Sequence, residues 1–254
     1  MVRINVNRGV PLVRQKRAPV GQGNGAKCKA CPVRKVMLFS ALSEGAINDI
    51  LAPIDALVYR EAAPLYTKGE PADWVYSIRK GVVKLEEAYN GGPARIVRLI
   101  GPGAAIGIEG LAQRSGYNET AIAVTEVQAC RIPMSLISDL ARSEEQLSVR
   151  LLTVWQQHLE HADQTIVEFS TGPARSRILR ILRSLQALQQ DGEDWDGTIQ
   201  PLSVDDFSAL AGISRESASR TLAALKREQL IKRVAPRRYR LDTKKLQICM
   251  QAMH

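Results

Sequence analysis

The stretch Leu202–Val234, "LSVDDFSALAGISRESASRTLAALKREQLIKRV", decides how this chain is read. Ser203 with Asp206 three residues on has the form of a capping box, in which two side chains satisfy free amides at a helix start. The helix so opened runs through Ala211, and Gly212 supplies a tight turn. Ser214 then caps a second helix whose Ala218, Leu222 and Leu225 face the first. Two short helices joined by a glycine turn make a helix-turn-helix. On the second helix Arg215, Glu216, Ser219 and Arg220 gather near the N-terminus, where such a helix meets base edges in the major groove. Arginine pairs bidentately with guanine, and glutamate accepts from the cytosine amino group.

Working outward, "LIKRVAPRRYRLD" holds two short strands around Ala235-Pro236, a wing from which Arg237, Arg238 and Arg240 reach phosphate. Upstream, residues 174–188 form a basic amphipathic helix, with Ile178, Leu179, Ile181, Leu182 and Leu185 on its apolar side. Thr171-Gly172-Pro173 stops the helix before it and marks a domain boundary. That earlier helix, within 135–170, places Leu152, Trp155, Leu159, Ala162, Ile166 and Phe169 at spacings of 3, 4, 3, 4 and 3. The stripe is narrow, flanked by Gln156, Gln157, Glu160, Asp163, Gln164 and Glu168, which favours a two-helix dimer seam over packing within one domain.

From about Leu51 to Pro133, short β-rich runs alternate with turn residues, as in "DWVYSIRKGVVKLEEAY" and "TAIAVTEVQACRIP". Such spacing predicts an antiparallel roll or barrel. Residues 1–26, with "GQGNGA" at their end, read as a disordered basic arm. The domains expected are thus the arm 1–26, a sensory unit 27–133, a dimerisation helix 134–172 and a DNA-binding unit 173–254.

The net charge of +9 is unevenly spread. Residues 1–43 carry nine basic side chains and no acid, residues 44–170 a net −6, and residues 171–254 a net +6. Basic ends around an acidic middle suggest nucleic acid as the partner of the C-terminal unit. No apolar run approaches the ~20 residues that cross a bilayer, and no apolar segment of a secretory signal follows the basic start. A cytoplasmic location is expected, with no membrane partner. In that compartment the four cysteines, Cys28, Cys31, Cys130 and Cys249, favour metal or redox chemistry over structural disulfides. Cys249 is expected to pack as a small hydrophobe, and His158 and His161 to be solvated. Nucleophile-elbow, P-loop and metalloprotease signatures are missing, so no enzyme is expected.

Taken in order, these features resemble the Crp–Fnr family of bacterial transcription regulators, from about Cys28 to Asp242. "GISRESASRTLAALKREQLI" is close to the family's recognition-helix pattern. The resemblance implies an α+β chain: a β-roll similar to cyclic-nucleotide-binding domains, a long dimerisation helix and a C-terminal winged helix-turn-helix. It also implies a homodimer on double-stranded DNA with two-fold-related half-sites, acting on RNA polymerase. Glu216, Ser219 and Arg220 match the reading triad of the Fnr branch, implying a TTGAT-like half-site, and Arg215 adds a guanine contact.

In the Crp branch an arginine holds the phosphate of cyclic AMP. Here Asn118-Glu119-Thr120 stands at that place and Glu109 is displaced by one position, so no cyclic nucleotide is expected. The Fnr branch instead senses oxygen through a [4Fe–4S] cluster on four cysteines. Cys28 and Cys31 match the first two, Cys130 matches the remote fourth, and Met37 stands where the third would be. The resemblance therefore implies an iron–sulfur cluster on Cys28, Cys31 and Cys130 with a non-cysteine or exogenous fourth ligand. Alternatives remain. Lys27, Lys29, Arg34 and Lys35 would lower the thiol pKa values of a disulfide switch, zinc would want a fourth ligand, and the set could be vestigial. A nucleotide-binding module that does not act on DNA is the reading from a different class.

Overall fold

The computed structural model describes residues 38–41, 54–112, 116–190 and 195–251. The arm 1–26 and the "KCKACPVRKVM" segment with Cys28, Cys31 and Met37 lie outside them. Glycine and proline turns cut the first part into short strands: β1 (Asp55–Tyr59), β2 (Pro64–Tyr66), β3 (Trp74–Lys80), β4 (Val83–Glu87), β5 (Arg95–Ile100), β6 (Ala105–Ile106), β7 (Thr120–Ala123) and β8 (Val127–Pro133). They pair antiparallel in two sheets, ordered β1-β8-β3-β6 and β2-β7-β4-β5. The sheets enclose an interior of Tyr66, Tyr76, Ile78, Leu85, Ile100, Ile106 and Tyr117.

Strand β3 shows why the first sheet lacks a polar face. Trp74, Tyr76 and Ile78 point into the roll. The alternate Val75 joins a second core on the sheet's other face, with Cys130, Ile132, Ile137, Leu147, Leu151 and Val154. Both faces are covered, so none of the residues from Trp74 to Ile78 is exposed, the polar Ser77 included. The cover is two helices, α1 (Met134–Ser143) and α2 (Glu145–Gln164). Sequence periodicity predicted one helix here; the chain breaks at Glu144, which is extended at φ −118° and ψ 97°. Helix α2 ends in a π-helical turn, Thr165–Phe169.

Beyond Gly172-Pro173 come α3 (Ala174–Gln189), β9 (Thr198–Ile199), α4 (Val204–Ala211), α5 (Arg215–Arg227), β10 (Ile231–Ala235), β11 (Arg238–Leu241) and α6 (Thr243–Gln251). Strands β10, β11 and β9 form the wing sheet in that order. The apolar side of α3 anticipated from its sequence is fully buried, against Phe207, Leu210, Ala218 and Leu225. Cys249 packs at the edge of this core. The same cluster takes in Val82, Ile96, Leu99 and Val124 of the roll, so the two units share one core.

Candidate functional site

The helix-turn-helix is built by its own local signals. The Ser203 hydroxyl accepts from the Asp206 amide while the Asp206 carboxylate accepts from the Ser203 amide, the reciprocal capping box expected from the sequence. Gly212 ends α4 in the left-handed region at φ 61°, and a Cβ there would stand 2.6 Å from an Arg95 guanidinium nitrogen. The turn thus favours glycine for its backbone, while the Arg95 side-chain tip could move aside from a Cβ. Ser214 caps α5 by accepting from the Ser217 amide. Ala218 and Leu225 are fully buried against α4, which fixes the opposite face outward.

On that outward face Arg215, Glu216, Ser219 and Arg220 are all exposed. A hydrogen bond from its own backbone amide, the Ser214 hydroxyl and the charges of Arg215 and Arg220 hold the Glu216 carboxyl below the usual range, so it stays an acceptor at neutral pH. Arg215 donates from Nε to Asp205 Oδ1 at 2.6 Å, and its two terminal nitrogens are left for a bidentate partner. In the wing, Arg237 pairs with Glu61 and Arg238 lies 3.3 Å from Asp196. Those two acids and Asp205 were missed by sequence reasoning, for Glu61 is 176 residues from Arg237. The sensory unit also touches the motif through Lys84, which donates to Asp206 at 2.5 Å.

Helix α2 carries two rows of side chains. Leu147, Leu151, Val154 and His158 are buried against the roll. Leu152, Leu159 and Ile166 are 69%, 65% and 63% exposed, beside the exposed Trp155 and half-buried Ala162. Phe169, the last residue of the anticipated seam, is instead buried in its own chain against the α3 core. The π turn explains this, because closing over five residues rotates each side chain by less and shifts the row.

His158 also departs from expectation: it is buried, not solvated. Arg98 Nη1 lies 3.0 Å from its Nδ1 and the Ala105 carbonyl 2.7 Å from its Nε2. Guanidinium only donates, so Nδ1 accepts and the ring is the neutral Nε2–H tautomer. Burial, with the Arg98 charge beside it, pulls its pKa down to about 4. Unfolded, the ring titrates near 6.5, so its contribution is complete above that pH and is lost as pH falls toward 4. From pH 7 to pH 5 the chain is expected to lose about 2 kcal/mol through this group. Urea unfolding at both pH values checks this, and His158→Gln should remove most of that loss.

The other terminal nitrogen of Arg98 donates to both Glu119 oxygens, at 2.6 and 2.5 Å. Glu109 lies beside this pair, its carboxyl pushed up chiefly by burial, and its Oε1 is buried without a hydrogen-bond partner. Cys130 sits in β8, 5% exposed, in the core shared with Leu38 and α2. No three His, Cys, Asp or Glu side chains gather as a metal site among the described residues.

Comparison with known proteins agrees with this geometry. Residues 56–144 match the cyclic nucleotide-binding domain family and residues 176–248 the Crp-like helix-turn-helix domain. The transcriptional regulator LdrP of Thermus thermophilus is 30% identical over 182 residues, covering 70% of this chain and 88% of that protein. This chain belongs to the Crp/Fnr family of transcription regulators. The transcriptional activator protein Anr of Pseudomonas protegens is 25% identical over 235 residues, 90% of this chain and 93% of its own. A solved CRP-family transcriptional regulator, also from Thermus thermophilus, superposes with a TM-score of 0.65 at 27% identity, over 76% of this chain and 96% of that one. The Crp/Fnr chain is therefore a DNA-binding transcription regulator rather than an enzyme. No helix among its described residues is long and apolar enough to cross a membrane.

Proposed function

We propose that this Crp/Fnr regulator is a homodimer that reads two-fold-related half-sites and is governed by an iron–sulfur cluster held by Cys28, Cys31 and Cys130. The two rows on α2 carry the reading. One row is buried over Cys130, and the other is apolar and faces solvent in the single chain. Burial of Leu152, Trp155, Leu159, Ala162 and Ile166 against a second copy removes that apolar surface from water. Glu216, Ser219 and Arg220, with the oriented Arg215, then read a TTGAT-like half-site in each of two successive major grooves. Arg237 and Arg238 serve as phosphate contacts in the wing, and RNA polymerase is the partner on the promoter.

The cysteine reading is supported by where Cys130 lies. Leu38 belongs to the same core as Cys130. The seven residues from Cys31 to Leu38 reach at most about 25 Å, a length compatible with Cys31 and Cys130 sharing one site. When bound, a cluster would supply sensitivity to oxygen, nitric oxide and redox state. Leu147, Leu151 and Val154 of α2 pack in the same core as Cys130, so a change in its packing is passed to the seam. Burial of Cys130 weighs against its serving as an exposed thiol switch.

We further infer that the roll takes no cyclic nucleotide. Arg98 is committed to Glu119 and His158, and Glu109 adds a second carboxyl, so a cyclic phosphate would meet acids rather than a free cation. Anaerobic purification with absorption spectroscopy and iron and sulfide analysis tests the cluster. The native protein should carry iron and sulfide with visible absorption, and Cys130→Ser should lose them. A colourless native protein, or an unchanged spectrum in the variant, overturns this assignment.

A further inference from the structure

Glu61 is a sensory-unit acid at the turn between β1 and β2, followed by Ala62 in the left-handed region at φ 62°. One carboxylate oxygen pairs with Arg237 at the tip of the wing. The other accepts from Gln200 Nε2 at 2.7 Å, and the same amide reaches the Val124 carbonyl at 3.2 Å. Gln200 is itself locked to α3, since its backbone amide donates to Gln189 Oε1 at 2.7 Å. Glu61 is thus held from behind by the first residue after β9 while its free side grips the wing.

We propose that Glu61 is a positioning residue for the wing, competing with DNA phosphate for Arg237 and so letting the sensory sheet set DNA affinity directly. Arg237 lies in a left-handed turn at φ 57°, which fixes its direction of approach. Its guanidinium is paired to a carboxylate of the roll, and a phosphate arriving at the wing must displace that carboxylate to gain the same charge. The side chain of Arg237 remains 68% exposed and that of Glu61 30% exposed. Such a pair is weak in water, as a contact displaced on DNA binding must be. The neighbouring bond from Lys84 to Asp206, whose side chains are 14% and 20% exposed, keeps the motif seated while the wing exchanges partners.

The proposal rests on Arg237 being a phosphate contact, and four proteins separate the two ideas. Affinity for one operator duplex is measured across a salt series for the full-length native chain, Glu61→Gln, Arg237→Ala and the double variant. Glutamine keeps the bond to Gln200 through its amide oxygen and removes the charge. Glu61→Gln should tighten binding by roughly 3–10-fold on every sequence and leave the salt slope nearly unchanged, because Arg237 neutralises the same phosphate in both complexes. Arg237→Ala should flatten the slope, and adding Glu61→Gln to it should change nothing further. If Arg237→Ala leaves the slope unaltered, the phosphate assignment fails. If Arg237→Ala flattens it while Glu61→Gln has no effect, or tightens binding equally without Arg237, the role of Glu61 is overturned. Thermal unfolding of each variant confirms that a folded protein was compared.

Discussion

Arg220→Ala is expected to weaken binding to a TTGAT-like operator by about 2–6 kcal/mol, each half-site losing a base contact of about 1–3 kcal/mol. The side chain is exposed, so its removal leaves the core of the motif intact. Affinity for unrelated duplexes, and the salt slope, should hardly move, because phosphate contacts supply both. Titration of an operator and a scrambled duplex across a salt series decides it. A uniform loss on both would make Arg220 a phosphate contact rather than a reader.

Leu159→Glu should disrupt DNA binding to a similar extent while sparing the fold. Leu159 is 65% exposed in the single chain, so a polar replacement there should change monomer stability by no more than about 0.5 kcal/mol. Across a two-fold seam the same change faces carboxylate with carboxylate in an apolar setting. The protein is expected to sediment as a monomer at micromolar concentration. It should then lose roughly 10²–10⁴ in operator affinity, because the second half-site is no longer reached by a tethered partner. A dimer that persists in the variant would move the seam elsewhere on the surface.

The helix-turn-helix was legible because every signal that makes it is short-range. Ser203 and Asp206 are three residues apart, Gly212 ends the helix that they begin, and Ser214 starts the next. The wing was legible for the same reason, with its turn at Pro236 and Arg237. The period of α2 disclosed an apolar stripe but not its end, because a π turn leaves no mark in an apolar repeat and displaces Phe169. The polar interior was invisible. Arg98 meets Glu119 across 21 residues and His158 across 60, and three charged or titratable side chains in separate elements carry no local pattern. His158 looked like any polar residue beside the seam; only the buried row of α2, read at the same spacing as Leu147, Leu151 and Val154, would have placed it inward. Glu61, Lys84 and Asp205 likewise gained meaning from partners that the chain order does not announce.

The shared core has a consequence for building with this protein. Val82, Ile96, Leu99 and Val124 of the roll lie in one cluster with Ile178, Leu182 and Phe207 of the DNA-binding unit. The winged unit is therefore not a freely portable module. Excised at Gly172, it would expose the surface that those four residues cover and invite aggregation. A chimera that grafts it onto a foreign sensor needs matching aliphatic side chains on the acceptor sheet, and fusions that respect this patch should express as folded protein where a cut chosen by sequence boundary does not.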